Sequence, residues 1–242
     1  MRYLALLGDD ENHANQPGTP GWDAEMEGYE RFGAIAGEAI VAGEALQEAA
    51  TSTTVRHAEA GEPLVTTGPF AETNEAIGGF YVLDSDTLDD AIELVRHIPA
   101  ADSGWVALRP VVQWFGPGEG DSAPPPGTAR YMAVLYGKES PADVPDTPEW
   151  EAGTAEHGRF VDGAGPAVLA GVALHPVDTT TTVRVRDGET IVTDGPFSEV
   201  AEIVGGFYVV AAESPERAAE LGAAIPVDPG GSVELRPIME LG

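Results

Sequence analysis

Cysteine is absent from the chain, and lysine is nearly so, because Lys138 is the only one. The lack of cysteine excludes disulfide crosslinks and thiolate catalysis and suits a reducing compartment. No apolar stretch is long enough to cross a bilayer, and no charged start leads into an apolar signal segment. We therefore expect a cytoplasmic protein.

Basic residues of any kind are scarce, with 12 against 41 acidic residues and a formal net charge of −29. A field of this sign repels nucleic acid and anionic membranes, so we expect neither as a partner. The charge itself favours solubility rather than recognition. A basic protein partner stays open as an alternative.

The sequence does contain one module twice. The segment Thr66-Thr67-Gly68-Pro69-Phe70 recurs in the second half as Thr193-Asp194-Gly195-Pro196-Phe197. The segment that follows it, Gly78-Gly79-Phe80-Tyr81-Val82, recurs as Gly205-Gly206-Phe207-Tyr208-Val209. A repeat this literal indicates a duplicated domain. We predict a first module at residues 1–114, a Gly- and Pro-rich linker at 115–129 and a second module at 130–242.

The same order of elements is predicted in each half. In the first half, apolar runs predict strands at residues 2–7, 53–56, 64–66, 79–83 and 106–111. Helical periodicity predicts a helix from Trp22 to Ala39 and another that is capped by Ser85 or Asp86 and closed by Pro99. Gly43 is expected to end the segment that contains the first of these helices. The order of strand, helix, strand pair, strand, helix, strand is typical of an α+β ferredoxin-like module.

Several strands, including residues 2–7 and 79–83, are apolar on both faces. Such a strand needs cover on both sides, and the helices of its own module supply only one. The sister sheet is the obvious second cover. We therefore predict tandem ferredoxin-like modules packed sheet to sheet as an intramolecular pseudo-dimer, and a further homodimer stays open.

The paired segments resemble the DGPF family, which is part of the YCII-related proteins. The resemblance covers most of both halves and lies in the first strand, Thr53-Thr54-Val55-Arg56, the Asp-Gly-Pro-Phe motif, Gly-Gly-Phe-Tyr and the closing Arg-Pro. It implies a dimeric α/β-barrel fold. It also implies an enzymatic role without a defined activity, through a His and Asp pair in a cleft. Because some members are encoded beside extracytoplasmic-function sigma factors, it implies a regulatory or stress setting as well.

The two halves differ at residues that could do chemistry. Asp194 of the second motif is Thr67 in the first, and His157 of the second helix pairs with Tyr29 of the first. We predict one working site, in a sheet–helix cleft of the second module, with Asp194 and His157 as an acid–base pair. The alternative is structural, with Asp194 as a turn residue and His157 as a core side chain.

Arginine recurs at matched positions of both halves, which suggests shared roles. We predict that Arg184 anchors a ligand and that Tyr208 forms a wall of the cleft. Arg56 and Thr67 are the substrate-binding candidates of the first half. The alternative for the arginines is structural, as ion pairs that tie strand ends together. The candidate partners are Glu72, Glu199 and Glu234.

We predict no cofactor and no metal. Neither half has metal-ligand spacing, and the acidic loop with Asp9, Asp10, Glu11 and His13 is typical of a solvated segment. Gly78-Gly79 lacks the spacing of a dinucleotide loop, so close backbone approach or a bulge explains it better. The functional alternatives are a cofactor-free enzyme or small-molecule-binding protein and a non-catalytic regulatory or scaffold module; haem or oxygen chemistry rests on fold analogy alone.

Overall fold

The structure is a computed structural model that describes residues 1–11, 15, 18–58, 61–70, 75–116, 124–138, 140, 144–196 and 203–240. The strands of the first half are β1 (Arg2–Asp10), β2 (Ile40–Ala45), β3 (Thr53–Arg56), β4 (Leu64–Thr67), β5 (Glu75–Asp84) and β6 (Trp105–Phe115). Its helices are α1 (Pro20–Ala36), α2 (Leu88–Val95) and α3 (Pro99–Ser103).

The second half repeats this order apart from α3. Its strands are β7 (Ala129–Gly137), β8 (Val168–Leu174), β9 (Thr181–Arg186), β10 (Glu189–Asp194), β11 (Ile203–Ala212) and β12 (Ser232–Pro237), and its helices are α4 (Pro148–Ala164) and α5 (Pro215–Ala224). The ends of the predicted linker belong to strands, since Phe115 is the last residue of β6 and Ala129 the first of β7. Residues 117–123 lie outside the described ranges.

Local sequence sets the start of α1. The Thr19 side chain accepts a hydrogen bond from the Trp22 N–H at 3.3 Å, and Pro20 occupies the first turn. The helix buries a face centred on Phe32 and Ala36. The α-helix ends at Ala36, and a 3-10 turn from Gly37 to Ala39 continues to the predicted end. Gly37 caps the α-helix with a φ of 52°, which favours glycine.

Two predicted boundaries of the first half are wrong. The cap of α2 is Thr87, not Ser85 or Asp86, because the Thr87 hydroxyl accepts the Asp90 N–H at 3.1 Å. Pro99 does not close α2 but begins α3, where its fixed φ suits the first helical position.

Gly43 does not end a segment either, because it lies inside β2. A Cβ at this position would be 2.4 Å from Cδ1 of Tyr81 on β5. Glycine therefore stands here to make room for the Tyr81 ring, rather than to break a helix.

The chain forms two compact units, and each combines segments from both halves of the sequence. Unit 1 comprises Met1–Ala45, Thr73–Pro110 and Asp178–Ser198. Its antiparallel strands follow the order β2-β5-β1-β6-β9-β10. The first four, with α1 and α2, form a ferredoxin-like βαββαβ module. The last two are the hairpin of the second half.

Unit 2 comprises Leu46–Glu72, Val111–Val177 and Glu199–Gly242. Its order is β8-β11-β7-β12-β3-β4, and residues 111–115 of β6 pair with the outer side of β8. The β3–β4 hairpin of the first half thus extends the sheet of the second. The predicted order of elements counts each hairpin with its own half, but in the structure each hairpin joins the sheet of the other half.

The inner strand of each hairpin, β3 or β9, contributes buried side chains to the unit that receives it, whereas the outer strands β4 and β10 are largely exposed. In unit 2, Val55 of β3 is fully buried among Phe160, Leu221 and Leu235 in one apolar cluster. In unit 1, Val183 of β9 is fully buried in the corresponding cluster. Burial of one such valine contributes about 1.5–3 kcal/mol, so the exchanged hairpins are part of each core.

The predicted α+β fold of tandem ferredoxin-like modules is confirmed. Both faces of β1 are buried from Tyr3 to Leu7, as the apolar pattern predicts. Packing of the two sheets against each other stays a prediction. Among the helices of the described ranges, none combines the length and the apolar character needed to cross a bilayer.

Candidate functional site

A cavity of about 530 Å³ lies in unit 2 between α4 and the strands β7, β8 and β11. This volume is in the range of small-molecule sites. Its apolar and aromatic lining includes Phe115, Leu135, Tyr136, Trp150, Val161, Val172 and Tyr208. Its polar lining includes Gln113, Lys138, Thr154, Glu156, His157, Asp162 and Asp228.

Helix α4 presents one face to this cavity. Its N-cap Thr147 accepts the Trp150 N–H at 3.2 Å, and Pro148 opens the first turn. The spacing of three and four residues then places Trp150, Thr154 and His157 along one stripe, and all three line the cavity. His157 is therefore on the sheet-facing side of α4, as the sequence predicts.

Tyr208 reaches the same space from β11. Its ring packs edge-on against Phe160 with centroids 5.2 Å apart. Gly171 on the neighbouring β8 makes room for this ring, since a Cβ there would be 2.8 Å from Tyr208 Cδ1. Packing on two sides fixes the direction of the phenol hydroxyl.

The Tyr208 hydroxyl and His157 Nδ1 are 2.9 Å apart. Burial lowers the pKa of His157 below its ordinary value of 6.5, and the nearby Glu156 opposes this only in part. Burial raises the pKa of Tyr208 to about 12. Near neutral pH the pair is therefore an uncharged imidazole and an uncharged phenol that share one hydrogen bond.

The second ring nitrogen of His157, Nε2, is the atom left for a ligand. It has no hydrogen-bond partner among the residues that the structure describes, and His157 lines the cavity. When the phenol donates to Nδ1, Nε2 carries the imidazole proton and is a donor. In the other tautomer Nδ1–H donates to the phenol oxygen, Nε2 is a base, and the Tyr208 O–H can donate to a ligand. The pair can therefore accept or deliver a proton at the cavity wall.

We expect His157 to make stability depend on pH. Its pKa is lower in the folded chain than in the unfolded chain, so the unfolded chain takes up the proton first as the pH falls below about 6.5. The stabilising contribution is full above the unfolded pKa and is lost as the pH falls towards the folded pKa. Urea unfolding at pH 8 and pH 5 should show a larger loss for the wild type than for His157→Gln. Equal losses would contradict a buried neutral imidazole.

The first half has two phenols at the corresponding positions. Tyr29 stands where His157 stands in the second half, and Tyr81 stands where Tyr208 does. Burial raises the pKa of both hydroxyls, and Glu25 raises that of Tyr29 further. Two protonated phenols offer no base near neutral pH, so this comparison favours the second half as the place for acid–base chemistry.

Asp194 and His157, the predicted acid–base pair, belong to different compact units. Asp194 is the exposed last residue of β10 and pairs in register with Thr181 of β9, both in unit 1. His157 belongs to unit 2, where Tyr208 is its partner. As a result of the hairpin exchange, the Asp194 motif is part of unit 1, whereas most of the second half belongs to unit 2.

The other predicted binding residues do not line the cavity. Arg184 lies on β9 of unit 1 and is half-buried. Thr67 is the exposed last residue of β4 and faces Thr53 in register. Arg56 is exposed on β3, with its guanidinium carbon 5.3 Å from the centroid of the Phe70 ring. Of the predicted set, the structure brings together only His157 and Tyr208.

The glycine of the Gly-Pro-Phe motif follows the last strand residue of each hairpin. Gly68 has a φ of 105°, its N–H donates to the Ser52 carbonyl at 2.8 Å, and its own carbonyl accepts the Thr54 hydroxyl at 2.8 Å. Gly195 makes the same two bonds in the second motif, both at 2.8 Å, with a φ of 93°. The positive φ explains the glycine. These contacts favour the structural alternative for the motif.

One of the candidate ion pairs is present as expected. Arg236 donates to Glu234 with the guanidinium nitrogen and carboxylate oxygen 2.6 Å apart, and their side chains are only 3% and 4% exposed. On the surface, Arg2 pairs with Asp84 at 3.0 Å. Glu72 and Glu199, the other two candidates, lie outside the described residues.

The acidic N-terminal loop is described only in part. The Asp9 carboxylate accepts hydrogen bonds from the Asp10 N–H and the Ser103 hydroxyl. His13 lies outside the described ranges. Within those ranges, no three His, Asp or Glu side chains converge.

Sequence reasoning missed several cavity residues, notably Tyr136, Trp150 and Lys138. Comparison of the repeats could have identified Tyr136, because it corresponds to Gly8 in the first half. Composition could have drawn attention to Lys138, since this only lysine of the chain lines the cavity.

The fold and the cavity define an α+β protein of two ferredoxin-like modules with a pocket in one compact unit. A family model for the YCII-related domain matches residues 1–115 and again residues 129–242. The chain therefore belongs to the YCII-related family, and the resemblance noted in the sequence is confirmed.

Among curated proteins, the chain is similar to an uncharacterised protein of Rhizobium meliloti (strain 1021). The two are 43% identical over 68 residues, which is 27% of this chain and 53% of the relative. The chain thus spans about half the length of the curated relative it matches. That relative is described without any activity.

Proposed function

We propose that the cavity of unit 2 binds a small organic molecule and that His157 and Tyr208 exchange a proton with it. The observation that carries this proposal is the 2.9 Å contact between the Tyr208 hydroxyl and His157 Nδ1 at the wall of a cavity of about 530 Å³. An imidazole that is neutral near pH 7 and hydrogen-bonded to a second titratable group suits general acid–base chemistry.

The lining indicates which molecules would fit. Aromatic rings of Phe115, Trp150 and Tyr208 offer flat apolar surface, so a ring-sized ligand is expected. The charged lining side chains are three carboxylates and one ammonium, from Glu156, Asp162, Asp228 and Lys138. This balance favours a neutral or cationic ligand over an anion. For exposed charges at low salt, we expect a difference in affinity of about threefold.

We expect a cavity-filling substitution to abolish binding of probe molecules. Gly153 on α4 lines the cavity and has open space where a Cβ would project. Gly153→Phe should therefore occupy the volume and weaken binding by roughly tenfold or more. Chemical-shift titration with indole, benzylamine and benzoate, read at the His157 ring protons, measures this effect. Their assignment comes from His157→Gln.

Gly163→Phe is the matched control. Gly163 is on the same helix and also has open space around a Cβ, but it is exposed and does not line the cavity. The control should bind the probes as the wild type does. A wild type that binds none of the three, or an equal loss in both variants, would count against the proposal.

The regulatory or scaffold alternative stays a hypothesis. Its motivation is the family resemblance and the net charge of −29, which suits a basic protein partner. The cavity and its His–Tyr pair favour a small molecule instead, because a scaffold needs neither.

A further inference from the structure

The first half contributes a residue that lies behind the cavity wall of unit 2. Pairing of β3 with β12, from Arg56 opposite Ser232 to Thr53 opposite Leu235, brings the first motif to this unit. After the turn at Gly68, the Phe70 N–H donates to Glu234 Oε2 at 2.8 Å. The backbone of Phe70 is thus anchored on a buried carboxylate.

That anchor places the Phe70 ring flat against Tyr136. The ring centroids are 4.6 Å apart and the planes differ by 14°, which is a stacked arrangement. Tyr136 is on β7 and lines the cavity, whereas Phe70 does not. The Arg56 guanidinium carbon lies over the Phe70 ring, 5.3 Å from the centroid, so Phe70 contacts Arg56 as well as Tyr136.

Comparison of the repeats shows that this arrangement is specific to the unit with the cavity. Glu234 and Tyr136 correspond to Ala107 and Gly8 in the first half. In unit 1 the space above Gly8 is taken by Trp105, since a Cβ on Gly8 would be 2.0 Å from the Trp105 ring. Within the described residues of unit 1, the corresponding positions therefore hold neither the anchoring carboxylate nor the stacked phenol, and a tryptophan fills the space.

We propose that Phe70 is a positioning residue for the ligand site: anchored by Glu234, it holds the Tyr136 ring in the orientation that forms one wall of the cavity. The Asp-Gly-Pro-Phe-like motif of the first half thereby serves the site of the second. The statement about ligand affinity rests on the proposed function, whereas the placement of Tyr136 does not. Tyr136 is the residue that would contact the ligand, and Phe70 acts through it.

The test uses the full chain labelled with 3-fluorotyrosine, in which Tyr136→Phe identifies the Tyr136 fluorine resonance. Burial raises the pKa of the Tyr136 hydroxyl, and Glu234 adds to this while Arg236 opposes it. Phe70→Leu should shift that resonance and move its ionisation to lower pH, because the ring gains access to water. Indole affinity should fall roughly twofold to tenfold with the loss of the stacked pair.

Phe70→Tyr keeps an aromatic ring in the stack and should restore the resonance, the ionisation and the affinity. Val65→Thr, an exposed change on β4 of the same hairpin, should alter none of them. If Phe70→Leu does not fold, Phe70→Met fills similar volume without stacking and should give the same shifts.

An unchanged Tyr136 resonance and ionisation in a folded Phe70 variant would overturn the proposal. A uniform change of all tyrosine resonances in both Phe70→Leu and Phe70→Met would also overturn it, because Phe70 would then support the fold in general rather than the placement of Tyr136. If Tyr136 responds as expected while the wild type binds no probe, the positioning role stands and the proposed function fails.

Discussion

Removal of the Glu234 carboxylate should destabilise the protein by about 3–5 kcal/mol, the range for breaking a buried ion pair from one side. Glu234→Ala leaves the Arg236 guanidinium without the acceptor at 2.6 Å in a place where the side chain is only 3% exposed. It also removes the acceptor of the Phe70 N–H. Urea unfolding of wild type and variant measures the difference in the free energy of unfolding.

The double variant Glu234→Ala, Arg236→Leu separates the two causes of that loss. With both charges gone, neither member of this buried ion pair is left without the other, so most of the stability should return. The remainder, about 1–3 kcal/mol, corresponds to the unsatisfied Phe70 N–H. A double variant as unstable as the single one would show that the unpaired Arg236 charge is not the cause of the loss of stability.

Local sequence was sufficient for most elements of the fold. Ser214 followed by Pro215 is a helix-start signal in the sequence, and the structure begins α5 at that place. The Asp187-Gly188 turn likewise marks the β9–β10 hairpin, with φ of 53° and 79°. The predicted start of α1 at Trp22 is two residues late, because the helix begins at Pro20. The prediction of the α2 cap failed because Ser85, Asp86 and Thr87 are all residue types that cap helices, so residue type alone does not distinguish them.

The exchange of hairpins could not be predicted from a single sequence. A turn fixes how two strands of a hairpin pair with each other, but it carries no information about the strand on which the hairpin docks. In a duplicated chain, β6 and β12 offer nearly the same edge, with Val106, Leu108 and Arg109 repeated as Val233, Leu235 and Arg236. The choice between them is made by the connections and the packing of the whole chain.

The candidate site was predictable only in part, and the exchange is the reason. Periodicity placed His157 on the sheet-facing side of α4, and the strand pattern placed Tyr208 on the facing sheet. Asp194 was paired with His157 because both belong to the second half, which assumes that each half builds its own site. The structure places Asp194 in unit 1, and the motif that reaches unit 2 is that of Phe70.

Alanine at Gly206 is the second substitution for which we expect a large effect. Gly206 belongs to the Gly-Gly-Phe-Tyr segment on β11, beside a register shift between β11 and β7. A Cβ on Gly206 would be 2.4 Å from the Val172 carbonyl oxygen of β8, and backbone cannot move aside as a side chain can. Forcing these strands apart should cost roughly 2–3 kcal/mol or more, and it should disturb the cavity wall that Gly206 and Val172 share.

The preceding residue supplies the control for this prediction. Gly205 also lines the cavity, but a Cβ there would meet no atom within 4 Å, so Gly205→Ala should change stability by no more than about 0.5 kcal/mol. The first repeat provides a second matched pair, because a Cβ on Gly79 would be 2.6 Å from the Glu44 carbonyl oxygen and one on Gly78 would be unobstructed. In both repeats, thermal unfolding should show the loss for the second glycine only. Equal effects at both glycines would mean that chain flexibility, rather than close approach of β11 to β8 and of β5 to β2, explains the paired glycines.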